Sequence, residues 1–210
     1  MILRFRPYWL VAFLLFPVTL PAQSDDLLTR IWGGVQQAQQ KFTTGCGNVT
    51  ETRTSSLMVK PMVLHGRFCA EGTTRFELEY FEPNPMRIRF NKDYLNVTTD
   101  GGKTDVFEIG SSVRRAQSSF SRENSIEKLK KDFTITARES SREFEMKFVP
   151  RSEDFRRRLN YMVVKLNKRD FLLRSLEVDG KSGVNSIFAI DITSLNTKIS
   201  EDMFEVYKPK

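Results

Sequence analysis

His65 is the only histidine in this chain of 210 residues, and it precedes Gly66 in a stretch with strand-like alternation. Histidine serves in triad catalysis when it contacts a serine or cysteine nucleophile and an orienting carboxylate. The chain has no G-x-S-x-G motif, which would present a nucleophilic serine. We therefore interpret His65 as an ordinary strand residue. A single histidine also excludes a histidine-rich metal site.

Residues 101–104 (GGKT) resemble the end of a phosphate-binding loop. The first glycine of that motif would fall on Val97. The segment also follows a predicted hairpin turn, whereas a phosphate-binding loop leads from a strand into a helix. We therefore discard a nucleotide site.

Carboxylates two residues apart occupy one face of a strand, as in the pairs Glu77 with Glu79 and Glu143 with Glu145. A solvated strand face explains these pairs better than general acid–base catalysis. Without a nucleophile, base or metal constellation, we expect no enzymatic activity and no cofactor.

Cys46 and Cys69 are the only cysteines. If 47–57 and 62–70 form a hairpin with its tip near Ser56–Lys60, the two cysteines can lie opposite each other, but the sequence does not fix the register. They are then either paired in a disulfide or buried as two free thiols, and the sequence leaves both open. A two-cysteine metal site lacks further ligands, so we expect no metal.

The first residues have the pattern of a secretory signal peptide. Arg4 and Arg6 precede the apolar run Tyr8–Leu20, which Pro17 interrupts and small residues close. The run is short for a membrane span. We therefore predict a cleaved signal peptide over 1–22 and one exported, soluble periplasmic domain over 23–210, with an uncleaved membrane anchor as the alternative.

Basic residues outnumber acidic ones by 33 to 26, for a formal net charge of +7. The densest basic run is Arg156–Arg158, with Arg151 nearby. An exported protein does not normally meet nucleic acid, so an anionic lipid surface is the better match to this charge. We interpret the run as a solvated connector, with contact to anionic headgroups or an acidic partner as the alternative.

Alternating residues predict a mainly β chain of about eleven strands. In Thr74–Gly102, Phe76, Leu78 and Tyr80 occupy one strand face, and Pro83 and Pro85 separate strands. The predicted strands are 47–57, 62–71, 74–82, 86–90, 94–99, 104–109, 133–138, 143–149, 160–167, 171–178, 185–193 and a last one over 203–207. A sheet of that size curls or closes because twist accumulates.

Two other segments are predicted to cover this sheet. Residues 25–42 have helical spacing, with Ser24 as N-cap. Residues 111–131 form a long excursion with one or two short helices, where Ser121 or Asn124 caps a helix before Ile126. We predict that both segments form a lid through Leu28, Ile31, Val35, Val113 and Phe120.

The 17 phenylalanines predict an apolar concave face of the curved sheet, with a cavity between that face and the lid. Such a cavity suits acyl chains, since moving a ~16-carbon chain out of water is worth on the order of 12 kcal/mol. The predicted binding residues are Phe76, Leu78, Tyr80, Ile88, Phe90, Phe144, Met146 and Phe148.

The order of short motifs resembles the LolA family of periplasmic lipoprotein carriers. The motifs are Val49-Thr50-Glu51, Gly66-Arg67-Phe68, Phe76–Pro83, Thr99-Asp100-Gly101, Asn196–Ile199 and Phe204-Glu205-Val206. The resemblance implies an unclosed antiparallel β-barrel of about eleven strands with an N-terminal helix and short lid helices. The family's Arg-Pro pair, whose arginine links barrel and lid, aligns with Gly72-Thr73.

The resemblance further implies a periplasmic chaperone that binds the acyl chains of lipoproteins and transfers them from the inner toward the outer membrane. Its partners would be acylated lipoproteins or other lipids, an inner-membrane donor and an outer-membrane acceptor, with the carrier acting as a monomer. The alternatives are a LolA-like carrier or sensor of another lipid, and an interaction module on the same fold that transports nothing.

Overall fold

A computed structural model of the protein describes residues 22–91, 93–110 and 125–208. Its helices are α1 (Ala22–Lys41), α2 (Ile126–Asp132) and α3 (Glu153–Arg156), with a 3₁₀ helix at Glu201–Phe204. Its strands are β1 (Thr44–Ser55), β2 (Met62–Glu71), β3 (Arg75–Glu82), β4 (Met86–Phe90), β5 (Tyr94–Thr99), β6 (Thr104–Glu108), β7 (Phe133–Glu139), β8 (Glu143–Pro150), β9 (Leu159–Asn167), β10 (Leu173–Gly180) and β11 (Val184–Leu195). The predicted signal peptide lies outside the described residues except for Ala22.

All eleven strands form one antiparallel sheet in the order β6-β5-β4-β3-β2-β1-β11-β10-β9-β8-β7. Neighbours in this order are also consecutive in the chain, except that β1 pairs with β11. Within the described residues β6 and β7 are unpaired edges, so the sheet is not closed. The predicted unclosed, LolA-like β-barrel with an N-terminal helix is confirmed.

Eleven of the predicted strands lie within three residues of their observed bounds, but the predicted strand at 203–207 is wrong. Phe204 ends the 3₁₀ helix and is buried where that helix packs on β3. The tail after it is fixed by the side chain of Asn96. The Tyr207 N–H donates to Asn96 Oδ1, and Asn96 Nδ2 donates to the Tyr207 carbonyl at 3.2 Å. Burial of Phe204 and these two hydrogen bonds, and not pairing with a neighbouring strand, hold this segment against the sheet.

The predicted helix over 25–42 is present as α1, but its described start at Ala22 places Ser24 within the helix. The prediction of Ser24 as N-cap is therefore wrong. The N-cap of α2 is Ser125, whose hydroxyl accepts a hydrogen bond from the Lys128 N–H at 3.3 Å. The two predicted caps, Ser121 and Asn124, lie outside the described residues.

Helix α1 lies on the sheet face formed by β7–β9, together with α2. Their contact forms the helix-side cluster, whose buried residues are Leu28, Ile31, Trp32, Ile126, Leu129, Phe133, Phe144, Met146, Phe148 and Leu166. Ion pairs fix the helix at its sides: Asp25 bonds Lys130 at 2.9 Å, and Arg30 bonds Glu139. Among the described helices, none has the length and apolar character needed to cross a membrane.

Two neighbouring glycines in α1 offer a matched test of this packing. In the described part of the chain, a Cβ at Gly33 meets no atom within 4 Å, whereas a Cβ at Gly34 lies 2.3 Å from the Phe171 ring. Alanine is better than glycine in a helix by about 1 kcal/mol. We therefore expect Gly33→Ala to raise the free energy of unfolding by up to about 1 kcal/mol.

Gly34→Ala should instead lower the free energy of unfolding. The new methyl group must displace the Phe171 ring, which stacks on Phe144 with ring centroids 5.4 Å apart. Overpacking of this kind costs about 1–3 kcal/mol. Urea denaturation measures both variants, and equal stabilisation by the two alanines would contradict the packing of Phe171 on α1.

Candidate functional site

One face of the sheet is apolar from strand to strand. In register, Phe188 of β11 pairs with Leu176 of β10, Leu176 with Val164 of β9, and Val164 with Met146 of β8. Cross-strand partners share a face, so these side chains form a continuous band. Helix α1 lies on this face, which we call the inner face.

Beyond the reach of the helix-side cluster, the inner face carries a second apolar group. This strand-only cluster consists of buried Val49, Leu64, Leu78 and Tyr80 with partly buried Met62, Phe68, Phe76, Met86, Ile88, Phe188 and Ile190. Every member belongs to β1, β2, β3, β4 or β11. Within the described residues, this part of the inner face is therefore an apolar wall to which no helix contributes.

A groove joins the two clusters at the C-terminal end of α1. Its volume is about 260 Å³, and its lining residues are Val35, Ala38, Gln39, Phe42, Gly45, Phe68, Leu166, Phe171, Leu172, Leu173, Ile190 and Ile192. Phe68 and Ile190 belong to the strand-only cluster, whereas Leu166 belongs to the helix-side cluster. A second, more polar pocket of about 390 Å³ shares Ala38 and Phe42 with the groove.

The predicted binding residues separate into two sets. Phe76, Leu78, Tyr80 and Ile88 lie in the strand-only cluster, and half-buried Phe90 pairs with Phe76 at its margin. Phe144, Met146 and Phe148 lie beneath α1, in the helix-side cluster, where other protein side chains already surround them. The sequence therefore located the apolar face but did not distinguish the half that packs against α1 from the half to which no described helix contributes.

The predicted lid residues divide in a similar way. Leu28 and Ile31 are buried in the helix-side cluster, so they anchor α1, while Val35 lines the groove. Val113 and Phe120 lie outside the described residues.

A charged pair lies within the strand-only cluster. Glu51 faces inward and is only 1 % exposed. Arg53 Nε donates to Glu51 Oε1 at 2.6 Å, and Arg53 Nη2 donates to Oε2 at 2.9 Å. The Tyr80 hydroxyl also donates to Glu51 Oε2. Three polar side chains of one apolar face thus satisfy each other.

Gly66 lies between the two strands that carry Tyr80 and Glu51. In register, Gly66 of β2 pairs with Tyr80 of β3 and with Val49 of β1. A Cβ at Gly66 would lie 2.3 Å from the Glu79 carbonyl oxygen, so only glycine allows the backbone of β3 to approach β2 this closely beside Tyr80.

Hydrogen bonds determine the ionisation of this cluster. Burial raises the pKa of the Glu51 carboxyl, but bonds from Arg53, Tyr80 and Ser186 outweigh burial and hold the pKa below its ordinary value. Burial and the neighbouring Glu51 carboxylate both raise the pKa of Tyr80. The cluster is therefore a carboxylate, a guanidinium and a neutral phenol at neutral pH.

The Glu51, Arg53 and Tyr80 cluster was not predicted, although the sequence contains a signal for it. Because side chains alternate between the two faces of a strand, Glu51 and Arg53 lie on the same face of β1 as Val49. Two opposite charges that follow an inward valine at this spacing predict a pair on the apolar side of a sheet.

The outer face of β2–β4 carries a charge ladder. Glu79 bonds Arg67 at 2.7 Å and also Arg87, while Glu77 bonds Arg89 at 2.7 Å. Glu77 is buried, so its interpretation as part of a solvated face is wrong. The 3₁₀ helix packs on β3, which carries Glu77, and ion pairing compensates the burial. Glu143 and Glu145 on β8 are half-buried.

The remaining candidates for chemistry, the histidine and the two cysteines, lie apart from the inner face. His65 is exposed on β2, with Nδ1 3.3 Å from the Thr50 hydroxyl. Within the described residues, no group of three metal-ligating side chains comes together. Cys46 and Cys69 lie opposite each other in register and form a disulfide, the first of the two alternatives that the sequence left open. Cys69 pairs with Glu77, which places the disulfide on the outer face.

No protein-family model matches this chain. No curated protein matches its sequence either. Similarity to known proteins is therefore found among solved structures.

An uncharacterised conserved protein from Thermus thermophilus is 12% identical, covers 86% of this chain and 94% of its own, and has a TM-score of 0.51. A LolA superfamily protein from Nitrosomonas europaea is 12% identical, covers 84% of this chain and 96% of its own, and has a TM-score of 0.44. MucB in the Pseudomonas aeruginosa MucA/MucB complex is 10% identical over 85% of this chain and 60% of its own, with a TM-score of 0.46.

The fold is LolA-like. The unclosed eleven-stranded sheet and the N-terminal helix match the architecture that the sequence markers predicted. At these identities the likeness concerns the fold alone, so the function of the inner face must be argued from its own residues.

Proposed function

We propose that this protein binds the acyl chains of lipids or lipoproteins along its inner face. The observation that carries the proposal is the strand-only cluster, an apolar wall over five strands with a groove at its margin. The four central side chains of this wall are buried, and the partly buried members around them and the groove offer the apolar surface that a ligand can contact. An apolar ligand in the groove would contact Phe68 and Ile190 on one side and α1 on the other.

The volume of the groove limits what it holds without movement. Sites for small ligands have volumes of about 300–1,000 Å³, and this groove has about 260 Å³. It therefore suits part of one acyl chain. Two or three chains require the C-terminal end of α1 to separate from the turn that contains Phe171, which would widen the groove along the strand-only cluster.

The free energy needed to bring an acyl chain into water supports a role in transport between membranes. At about 0.8 kcal/mol for each buried CH₂, a long acyl chain leaves a membrane only when a protein receives it. We propose that the chain is a periplasmic carrier of acylated lipoproteins from the inner toward the outer membrane, with a donor and an acceptor in those membranes.

Native mass spectrometry of protein expressed with its own N-terminus tests ligand binding. We expect bound lipid or acylated peptide, and release of lipoprotein from spheroplasts when the purified protein is added. Bound lipid without lipoprotein release would support a carrier or sensor of another lipid. Neither bound lipid nor release would overturn the proposal, and capture of a protein partner without lipid would indicate an interaction module.

A larger side chain in the groove should weaken the retention of fatty acid. Ala38 lines the groove from α1, and we expect Ala38→Trp to weaken binding of a fluorescent fatty acid at least tenfold because the indole replaces several methylene contacts. Gln40→Trp is the matched control, since Gln40 is exposed on the same helix and lines neither pocket. Equal affinity of the two tryptophan variants would place the ligand elsewhere.

A further inference from the structure

The turn between β1 and β2 presents apolar side chains to solvent. This β1–β2 tip consists of residues 55–61, and it carries Leu57 at 94 % exposure and Val59 at 105 %. These are the highest exposures among the large hydrophobic residues of the described chain. The turn is ordered by hydrogen bonds, because the Met58 N–H donates to the Ser55 carbonyl at 3.1 Å and the Leu57 N–H donates to the Ser55 hydroxyl at 3.3 Å.

Basic segments lie beside this tip. Ser55 pairs with Val184, so the turn 181–183 between β10 and β11 is adjacent to the tip. The Lys181 N–H donates to the Arg158 carbonyl at 2.9 Å, which brings the connector 151–158 to the same end of the sheet.

These three segments together have an excess of positive charge. Their basic residues, all exposed, are Lys60, Arg151, Arg156, Arg157, Arg158 and Lys181. Their acidic residues are Glu153 and Asp154, and Glu153 is paired with Arg157. An apolar tip surrounded by cations thus marks one end of the molecule.

We propose that this end docks on an anionic lipid bilayer, with Leu57 and Val59 inserted among the acyl chains and the basic segments against the headgroups. Polybasic segments are attracted to anionic lipid, and apolar side chains among them strengthen the contact by entering the interface. A specific protein partner requires a broad, complementary surface, whereas two protruding side chains suit a fluid layer that closes around them.

Docking here would bring the strand-only cluster close to the membrane. Met62, a member of that cluster, directly follows the tip at the start of β2. The groove lies at the other end of the sheet, where it includes Gly45 near the start of β1. Bilayer docking and ligand retention in the groove can therefore be tested separately.

Vesicle flotation of the full chain, expressed with its own N-terminus, tests the docking. We expect binding to vesicles of phosphatidylethanolamine with 30% phosphatidylglycerol and little binding to phosphatidylcholine. The double variant Leu57→Ser/Val59→Ser should bind the anionic vesicles at least tenfold more weakly. The triple variant Arg156→Gln/Arg158→Gln/Lys181→Gln should also bind more weakly and lose most of its dependence on salt.

Phe107→Ser/Ile187→Ser is the matched control, because it removes two exposed apolar side chains located outside the tip. It should bind the anionic vesicles as the natural protein does. Equal binding by the tip variant, or no binding by the natural protein, would overturn the proposal. Binding to native membranes that depends on the tip but disappears after protease treatment of those membranes would assign the tip to a protein partner and also overturn it. The tip variant should retain fatty acid as the natural protein does. That result would show that vesicle docking and ligand binding in the groove depend on different residues.

Discussion

Arg53→Met should lower the free energy of unfolding by about 2–3 kcal/mol at pH 7. The substitution leaves the buried Glu51 carboxylate with Tyr80 and Ser186 but without its cation. Breaking a buried ion pair from one side costs about 3–5 kcal/mol, and we expect a smaller loss because the Arg53 side chain is 32 % exposed. Urea denaturation of the natural protein and the variant measures the difference.

The same experiment at lower pH tests the cause. In the natural protein the pKa of Glu51 is below its ordinary value, so the pair contributes stability at neutral pH that is lost as the pH falls through the lowered pKa. Without Arg53, burial should raise the pKa of Glu51, so the variant should gain stability as the pH falls from 7 toward 5. The difference between the two proteins should therefore shrink on acidification.

A second substitution provides the control. Glu51→Gln in the Arg53→Met background removes the unpaired charge while keeping an acceptor for the Tyr80 hydroxyl, so it should recover at least half of the lost stability. A loss below about 0.5 kcal/mol for Arg53→Met, or no recovery in the double variant, would contradict the role of this pair.

Removing the disulfide should lower the free energy of unfolding by about as much as Arg53→Met. Cys46 and Cys69 are separated by 23 positions, and closing a loop of that length in the unfolded chain corresponds to about 3 kcal/mol in the chain-entropy model. We therefore expect Cys46→Ser/Cys69→Ser to lower the free energy of unfolding by about 3 kcal/mol, as measured by urea denaturation without reductant.

Two comparisons make this result specific. Reduction of the natural protein with dithiothreitol should reproduce the loss, and the serine variant should not respond to reductant. Because the disulfide lies on the outer face, fatty-acid retention by the folded variant should stay unchanged. A stability equal to that of the oxidised natural protein would contradict the cross-link, and lost retention would contradict its separation from the groove.

Local patterns were sufficient to predict most of the sheet. Alternation around Phe76 and Leu78 predicted β3, and the hairpin pattern predicted β1 and β2 without fixing the register that places Cys46 opposite Cys69. Hairpins are local structures, so their strands and turns leave a trace within a short window. The N-terminal amphipathic helix was equally visible, although its start was not.

The missed features depend on contacts between distant segments. Burial of Glu77 requires the 3₁₀ helix to pack on β3, more than a hundred residues away. The bond between Glu51 and Tyr80 requires three strands in register. Which half of the inner face α1 covers also depends on tertiary packing. Alternation gives the face of a residue, but it does not give what lies over that face.

Pairing of β1 with β11 has a consequence for the order of folding. Strands β1 to β6 and β7 to β11 each form a run of local hairpins, and the seam between the two runs joins Gly45 to Leu195. Contacts so distant in sequence form late, since loop closure must precede them. A chain that emerges from its N-terminus thus holds β1 with one unpaired edge until almost its last residues appear, and this edge is the segment most in need of protection against aggregation during biogenesis.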